Sequence, residues 1–227
     1  MAGLIARVEK KFKSPGPHPN GLQAADDGLW YIDQVDNKVY KLDYQTGATL
    51  FEAQTDTEHS SGITLGGGYL WVASTFELKI AQIDPATGAT VAKHDSPGAG
   101  ITSMREDLEN PKITGDHGLE WRDGKIYIAS PPSQMIHVVE AETWTEVHRF
   151  RAPGLRVHGL AWGTRGRLWS ADTSAGTGSL LDPAEGRIYD VFRVEAPDEV
   201  HGMTTVSYTH LRAHETRHDL VCRLLLE

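Results

Sequence analysis

The 227-residue chain holds a single cysteine, Cys222, so no internal disulfide can form and the fold must rest on burial and hydrogen bonds. No stretch approaches the roughly 18 apolar residues needed to span a bilayer. The opening segment, Met1 to Arg7, does not have the charged-then-apolar order of a secretion signal. A cytoplasmic location with no membrane partner is expected. Basic blocks are also missing: 22 Lys and Arg face 31 Asp and Glu, a formal charge of -9, which argues against a nucleic-acid partner and leaves a small molecule as the expected one. No Gly-Xaa-Ser-Xaa-Gly elbow, phosphate loop, dinucleotide fingerprint or Cys-Xaa-Xaa-Cys pair occurs, so the familiar nucleophile and cofactor chemistries have no local signature. What remains is a globular composition, 39% hydrophobic and 23% charged, sufficient for a packed core.

The chain does contain a repeat. Its anchors are Asn20-Gly21-Leu22, Ser61-Gly62-Ile63, His117-Gly118-Leu119, His158-Gly159-Leu160 and His201-Gly202-Met203, with glycines 41, 56, 41 and 43 residues apart. A small polar residue closes an apolar run 12 or 13 residues after each of the first four glycines: Asp33, Ser74, Ser130 and Asp172. Ten residues later stands an acid: Asp43, Asp84, Glu140 or Asp182. A period near 40 residues is the mark of propellers and solenoids.

Within each unit, short runs of aromatic and β-branched residues, such as Leu29 to Ile32 and Leu70 to Ala73, alternate with turn formers such as Asp26-Asp27-Gly28 and Gly66-Gly67-Gly68. Helical periodicity is absent across the four units. A four-stranded sheet cannot bury both faces alone, so the units must stack radially. The expected fold is an all-β propeller of four-stranded blades, at about 20–57, 61–98, 117–154 and 158–196, with a fifth beginning at 201. Trp30, Trp71 and Trp169 are expected between blades, as core. The long 56-residue spacing carries an insertion, Ala99 to Ile113, including the charged run Met104 to Asp107. Such an insertion either sits on the functional face or is a plain surface loop.

The ends pose a separate problem. Leu4 to Phe12 has strand character and matches the outermost strand of a blade, so its partners should follow His201. From about Val206 to Glu227, however, the chain resembles a translated sequencing adapter, with Arg217-His218-Asp219 at the place of a variable index. That resemblance implies a truncated reading frame of metagenomic origin. It also sets His210, His214, His218 and Cys222 aside as a metal site. With the fifth blade incomplete, a homodimer in which two chains close one another's open ends is expected.

On a propeller plan the loops into the first strands gather Asn20, Ser61, His117, His158 and His201 at the channel mouth, with His18 and His59 two residues earlier on the same rim. Asp33, Asp36, Ser74, Ser130 and Asp172 approach from the second-to-third-strand loops. His117, His158 and His201, at one ring position, are the candidate catalytic residues, as ligands of a divalent metal such as zinc or as bases. An oxygen-rich set, Asn20, Asp33 and Asp172, suits calcium or magnesium. Glu120 or an aspartate could orient a histidine base. Each of these histidines could equally be a hydrogen-bonded neighbour of the next blade, and that reading is favoured for His18, His59, His94, His137 and His148 taken singly.

His18-Pro19-Asn20-Gly21-Leu22 followed by Asp27 to Asp33 resembles the blade motif shared by SMP-30/gluconolactonase-like and virginiamycin B lyase-like propellers. The His-Gly-Leu entries at His117 and His158 lean towards the lyases. The likeness covers Pro17 to about Thr204. The first family implies a divalent metal, with Asn20 and Asp172 as matching ligand types, and hydrolysis of lactones, esters or, promiscuously, phosphotriesters. The second implies magnesium-assisted elimination that opens a cyclic depsipeptide, with His158 or His201 as base. The leading expectation is a metal-assisted hydrolase of small lactones or esters. The alternatives are the elimination and a non-catalytic binding propeller.

Overall fold

The structure is a computed structural model that describes residues 4–10, 12–102, 112–195, 199–206, 210–214 and 221–225. It is all-β, and apart from one 3-10 turn at Thr164–Gly166 the described elements are strands. The charged run Met104 to Asp107 and the index-like Arg217 to Asp219 lie outside the described residues.

Four blades are continuous segments, each an antiparallel meander with its first strand innermost. Blade 1 consists of β3 (Pro19–Ala25), β4 (Gly28–Asp33), β5 (Lys38–Leu42) and β6 (Thr49–Gln54). Blade 2 is β7 (Ser60–Gly66), β8 (Tyr69–Ser74), β9 (Lys79–Ile83) and β10 (Thr90–Asp95). The insertion then frames a small ribbon, β11 (Gly100–Ile101) with β12 (Ile113–Thr114). Blade 3 is β13 (Leu119–Arg122), β14 (Lys125–Ser130), β15 (Met135–Glu140) and β16 (Thr145–Arg151). Blade 4 is β17 (Val157–Trp162), β18 (Leu168–Asp172), β19 (Thr177–Leu181) and β20 (Ile188–Arg193).

A fifth sheet joins the two ends of the chain. Its order is β21 (Met203–Val206), β22 (His210–His214), β23 (Val221–Leu225) and then β2 (Arg7–Lys10), which pairs antiparallel with β23. Just before β2, the short β1 (Leu4–Ile5) lies parallel to β20 on blade 4. The innermost strands also close a circle within one chain: the Thr204 hydroxyl accepts the Ala24 amide at 2.9 Å, and the Thr173 hydroxyl donates to Val200 O at 2.9 Å.

Successive side chains of a strand point to opposite faces, so each middle strand is buried on both sides by its neighbours. Trp30 and Ile32 of β4 pack with Ile63, Leu70 and Val72 of blade 2. Leu29 and Tyr31, the alternate residues, pack with Leu22, Tyr40 and Leu42 on the other face. Trp71 lies with Leu119, Ile126 and Ile128 of blade 3, and Trp169 with Phe192, Ala6 and Met203. All three tryptophans expected as core are buried between blades.

The repeated small polar and acidic residues have local work. Asp33 accepts the amides of His18, Val35 and Asp36, Ser74 accepts that of Glu58, and Asp172 accepts those of Arg156 and Ala175. Each ties the loop that enters its blade to the turn that leaves the second strand. The acids ten residues on close the next turn: Asp43, Asp84 and Asp182 accept amides two or three residues ahead. A residue with positive φ follows at Gly47, Gly88 and Gly186, and Trp144 takes the same left-handed conformation in blade 3 at φ 53°. Three residues beyond, the ladder to the outer strand skips Leu50, Val91, Val147 and Tyr189. These β-bulges twist the outer strands, which on blades 1 to 3 discourages pairing with another chain.

Candidate active site

The residue before each repeat glycine stands at the entrance to a first strand, and the glycine after it is what allows the strands to meet. A Cβ on Gly21, Gly62, Gly118, Gly159 or Gly202 would fall within 3.0 Å of the next blade's backbone. Side chains at the preceding position are thereby pressed together. The Ser61 hydroxyl lies 3.2 Å from His117 Nδ1, and the His117 and His158 rings meet edge to face at 4.3 Å between centroids. His158 and His201 do the same at 4.6 Å, and His201 Nδ1 lies 3.2 Å from Asn20 Oδ1. Asn20, Ser61, His117, His158 and His201 thus form one polar ring, as the repeat implies, and it closes inside a single chain.

His158, midway along the row of histidines, is buried at 4% exposure, and neither ring nitrogen has a hydrogen-bond partner. Burial holds its pKa well below the usual histidine value, and the neighbouring His117, His201 and Arg156 add to the effect. The ring is therefore centred on a neutral imidazole with an unshared lone pair.

Above it opens a cavity of about 450 Å³, within the range of small-molecule sites. Its wall includes His117, His158 and His201 together with His18, His59 and Gln34. His59 is held by a 2.7 Å contact with the Gln34 amide and by stacking on Phe76 at 3.9 Å. The wall also brings opposite charges, Arg156 and Glu199. Sequence reasoning missed both, although the signal was available: each stands two residues before its ring member, the offset that nominates His18 and His59.

Other nominated residues lie elsewhere. Asp33 and Asp172 are engaged by backbone amides, and the buried Ser130 hydroxyl donates to Gly98 O at 3.0 Å. Burial pushes the Asp33 carboxyl up, against the pull of the amides it accepts. Glu120 sits deeper on β13 and does not line the cavity. It is buried, and desolvation raises its pKa well above the usual carboxylate value. His94 packs between Trp71 and Trp144, and His148 contacts Ala184 O at 2.9 Å.

Among the described residues no group of three or more His, Cys, Asp or Glu side chains is disposed to hold a metal ion. The three histidines meet in a row by their ring edges, and two carboxylates of the oxygen-rich set serve the backbone. Among the described residues the donor geometry does not fit a metal centre.

No family model matches the chain, and no curated protein matches it. Solved structures do. Over 99% of both chains it is similar to glutaminyl cyclase from Myxococcus xanthus, with a TM-score of 0.75 and 12% identity. It is similar to a streptogramin B lyase over 98% of both chains, with a TM-score of 0.60 and 14% identity. Virginiamycin B lyase from Staphylococcus aureus follows at 0.56 and 16%, over 92% of this chain and 68% of that one. The likeness is one of fold. It establishes a β-propeller.

Proposed function

We propose that the cavity is a metal-independent acid–base active site that opens a small ester or lactone by elimination, with His158 as the general base. The observation that carries this reading is the neutral His158 imidazole, buried at the cavity floor with both nitrogens unpartnered. A base held neutral at physiological pH, with no competing hydrogen bond, is free to take a proton from a bound substrate. His158 removes a proton from the carbon next to a carbonyl and a carbon–carbon double bond forms. The bond from the neighbouring carbon to the ester oxygen breaks, releasing a carboxylate. Arg156, two residues away, supplies the cation that such a carboxylate requires. His117 and His201 hold the base in place by their ring contacts and disfavour its protonated form. The likeness to two lyases supports elimination over lactone hydrolysis, the reading suggested first by the sequence.

A panel of cyclic and acyclic esters tests this by product mass. Elimination leaves the mass unchanged on ring opening and creates an unsaturated product, whereas hydrolysis adds one water. His158→Asn is expected to lower kcat by about 100-fold or more, the usual worth of a positioned base. EDTA is expected to leave the rate unchanged. Because the pKa of His158 is lowered, activity should persist as pH falls below about 6.5, where an ordinary histidine would be lost as a base. Full activity in His158→Asn with a folded far-UV spectrum, or loss of activity on chelation, would overturn the proposal.

A further inference from the structure

Away from the cavity wall, blade 3 carries a second arrangement of reactive groups. Ser133, exposed in the turn between β14 and β15, places its hydroxyl 2.8 Å from His137 Nε2. On the opposite edge of the same imidazole, Nδ1 lies 2.5 Å from Glu146 Oε2 on β16. His137 is buried at 2% exposure, and its ring is fixed by both contacts. An ionised carboxylate can only accept, so Nδ1 carries the proton; a neutral imidazole then presents its lone pair at Nε2, where the serine O–H donates. That is the polarity a base-activated nucleophile requires.

The repeat supplies a control, because blades 1, 2 and 4 share this backbone. The positions of Ser133, His137 and Glu146 are Asp36, Tyr40 and Thr49 in blade 1, and Glu77, Ala81 and Thr90 in blade 2. In blade 4 they are Ala175, Ser179 and Ile188. A blade therefore forms without the relay, and only blade 3 among these four has nucleophile, base and acid at the three places.

We infer that Ser133, His137 and Glu146 form a serine esterase-type site on blade 3, acting on small acyl esters. Ser133 Oγ attacks the acyl carbonyl as His137 Nε2 takes its proton. The C–O bond to the leaving alcohol breaks, and the imidazolium returns the proton to that oxygen. Water, deprotonated in turn by His137, hydrolyses the acyl-serine and restores the hydroxyl. Glu146 acts through the histidine as a positioning residue, keeping the proton on Nδ1 and stabilising the imidazolium.

The test uses the full chain with a fluorophosphonate, read by intact mass and peptide mapping, and with p-nitrophenyl acetate. One adduct on Ser133 is expected, absent in Ser133→Ala, an exposed turn substitution that leaves the blades folded. Glu146→Gln is expected to slow labelling and ester turnover by about 100-fold, since it replaces a charged group that can only accept by an amide whose NH2 can donate to Nδ1 and reverse the tautomer. His158→Asn should label normally, which separates this site from the cavity reading. No adduct on Ser133 in folded protein, or labelling that Glu146→Gln leaves unchanged, would show a hydrogen-bonded clasp only and overturn the inference.

Discussion

His158 and Glu120 are buried ionisable groups whose responses to pH have opposite signs. Above about pH 6.5 His158 is neutral whether the chain is folded or not; as pH falls further, the unfolded chain takes the proton first, so stability is lost on the acid side. Glu120 is protonated in both states below about pH 4.5; as pH rises, the unfolded carboxyl ionises first, so stability is lost on the alkaline side. Replacing Glu120 by the isosteric Gln removes only the second effect. Urea unfolding is expected to show Glu120→Gln more stable than the parent at about pH 8 and little changed at about pH 4. A variant less stable at both values would mean that the carboxyl has a charged partner.

Blades are joined by polar contacts as well as by their apolar faces. The buried Thr64 hydroxyl donates to Gln23 Oε1 of blade 1 at 2.8 Å and accepts the Trp121 amide of blade 3 at 3.0 Å, so one side chain links three blades. Thr64→Val keeps the shape but strands that amide, at an expected cost of about 1–3 kcal/mol in chemical denaturation. Thr64→Ser, which keeps the hydroxyl, should lose less. The blades were legible because their strands, turns and capping acids recur in register, and a strand's period of two then fixes which face each residue serves. The ring of Asn20, Ser61, His117, His158 and His201 was legible for the same reason. Asp33 and Asp172 were nominated as ligands because sequence distinguishes an acid but not its partners, and only the folded loops show the amides that occupy them. The Ser133–His137–Glu146 relay had no local signature. Its members lie in a turn and two strands, and the β15–β16 pairing that joins them shifts register at the bulged Val147.

For the whole molecule the decisive feature is how the circle closes. A second chain was expected because the fifth blade lacked strands recognisable from the repeat. β22, β23 and the N-terminal β2 occupy those places, and His201 meets Asn20 across the seam. This sheet draws on both ends of the chain, so the closure entropy of a long loop falls on a single blade. Removing residues 1–10 would strip β2 from β23 and β1 from β20, uncovering two strand edges that are paired in the intact chain. Light scattering is expected to report one chain for the intact protein and self-association for the truncated one, with lower thermal stability. A truncated chain that stays monomeric and equally stable would show that the inner ring alone, through His201, Gly202 and Thr204, holds the propeller shut.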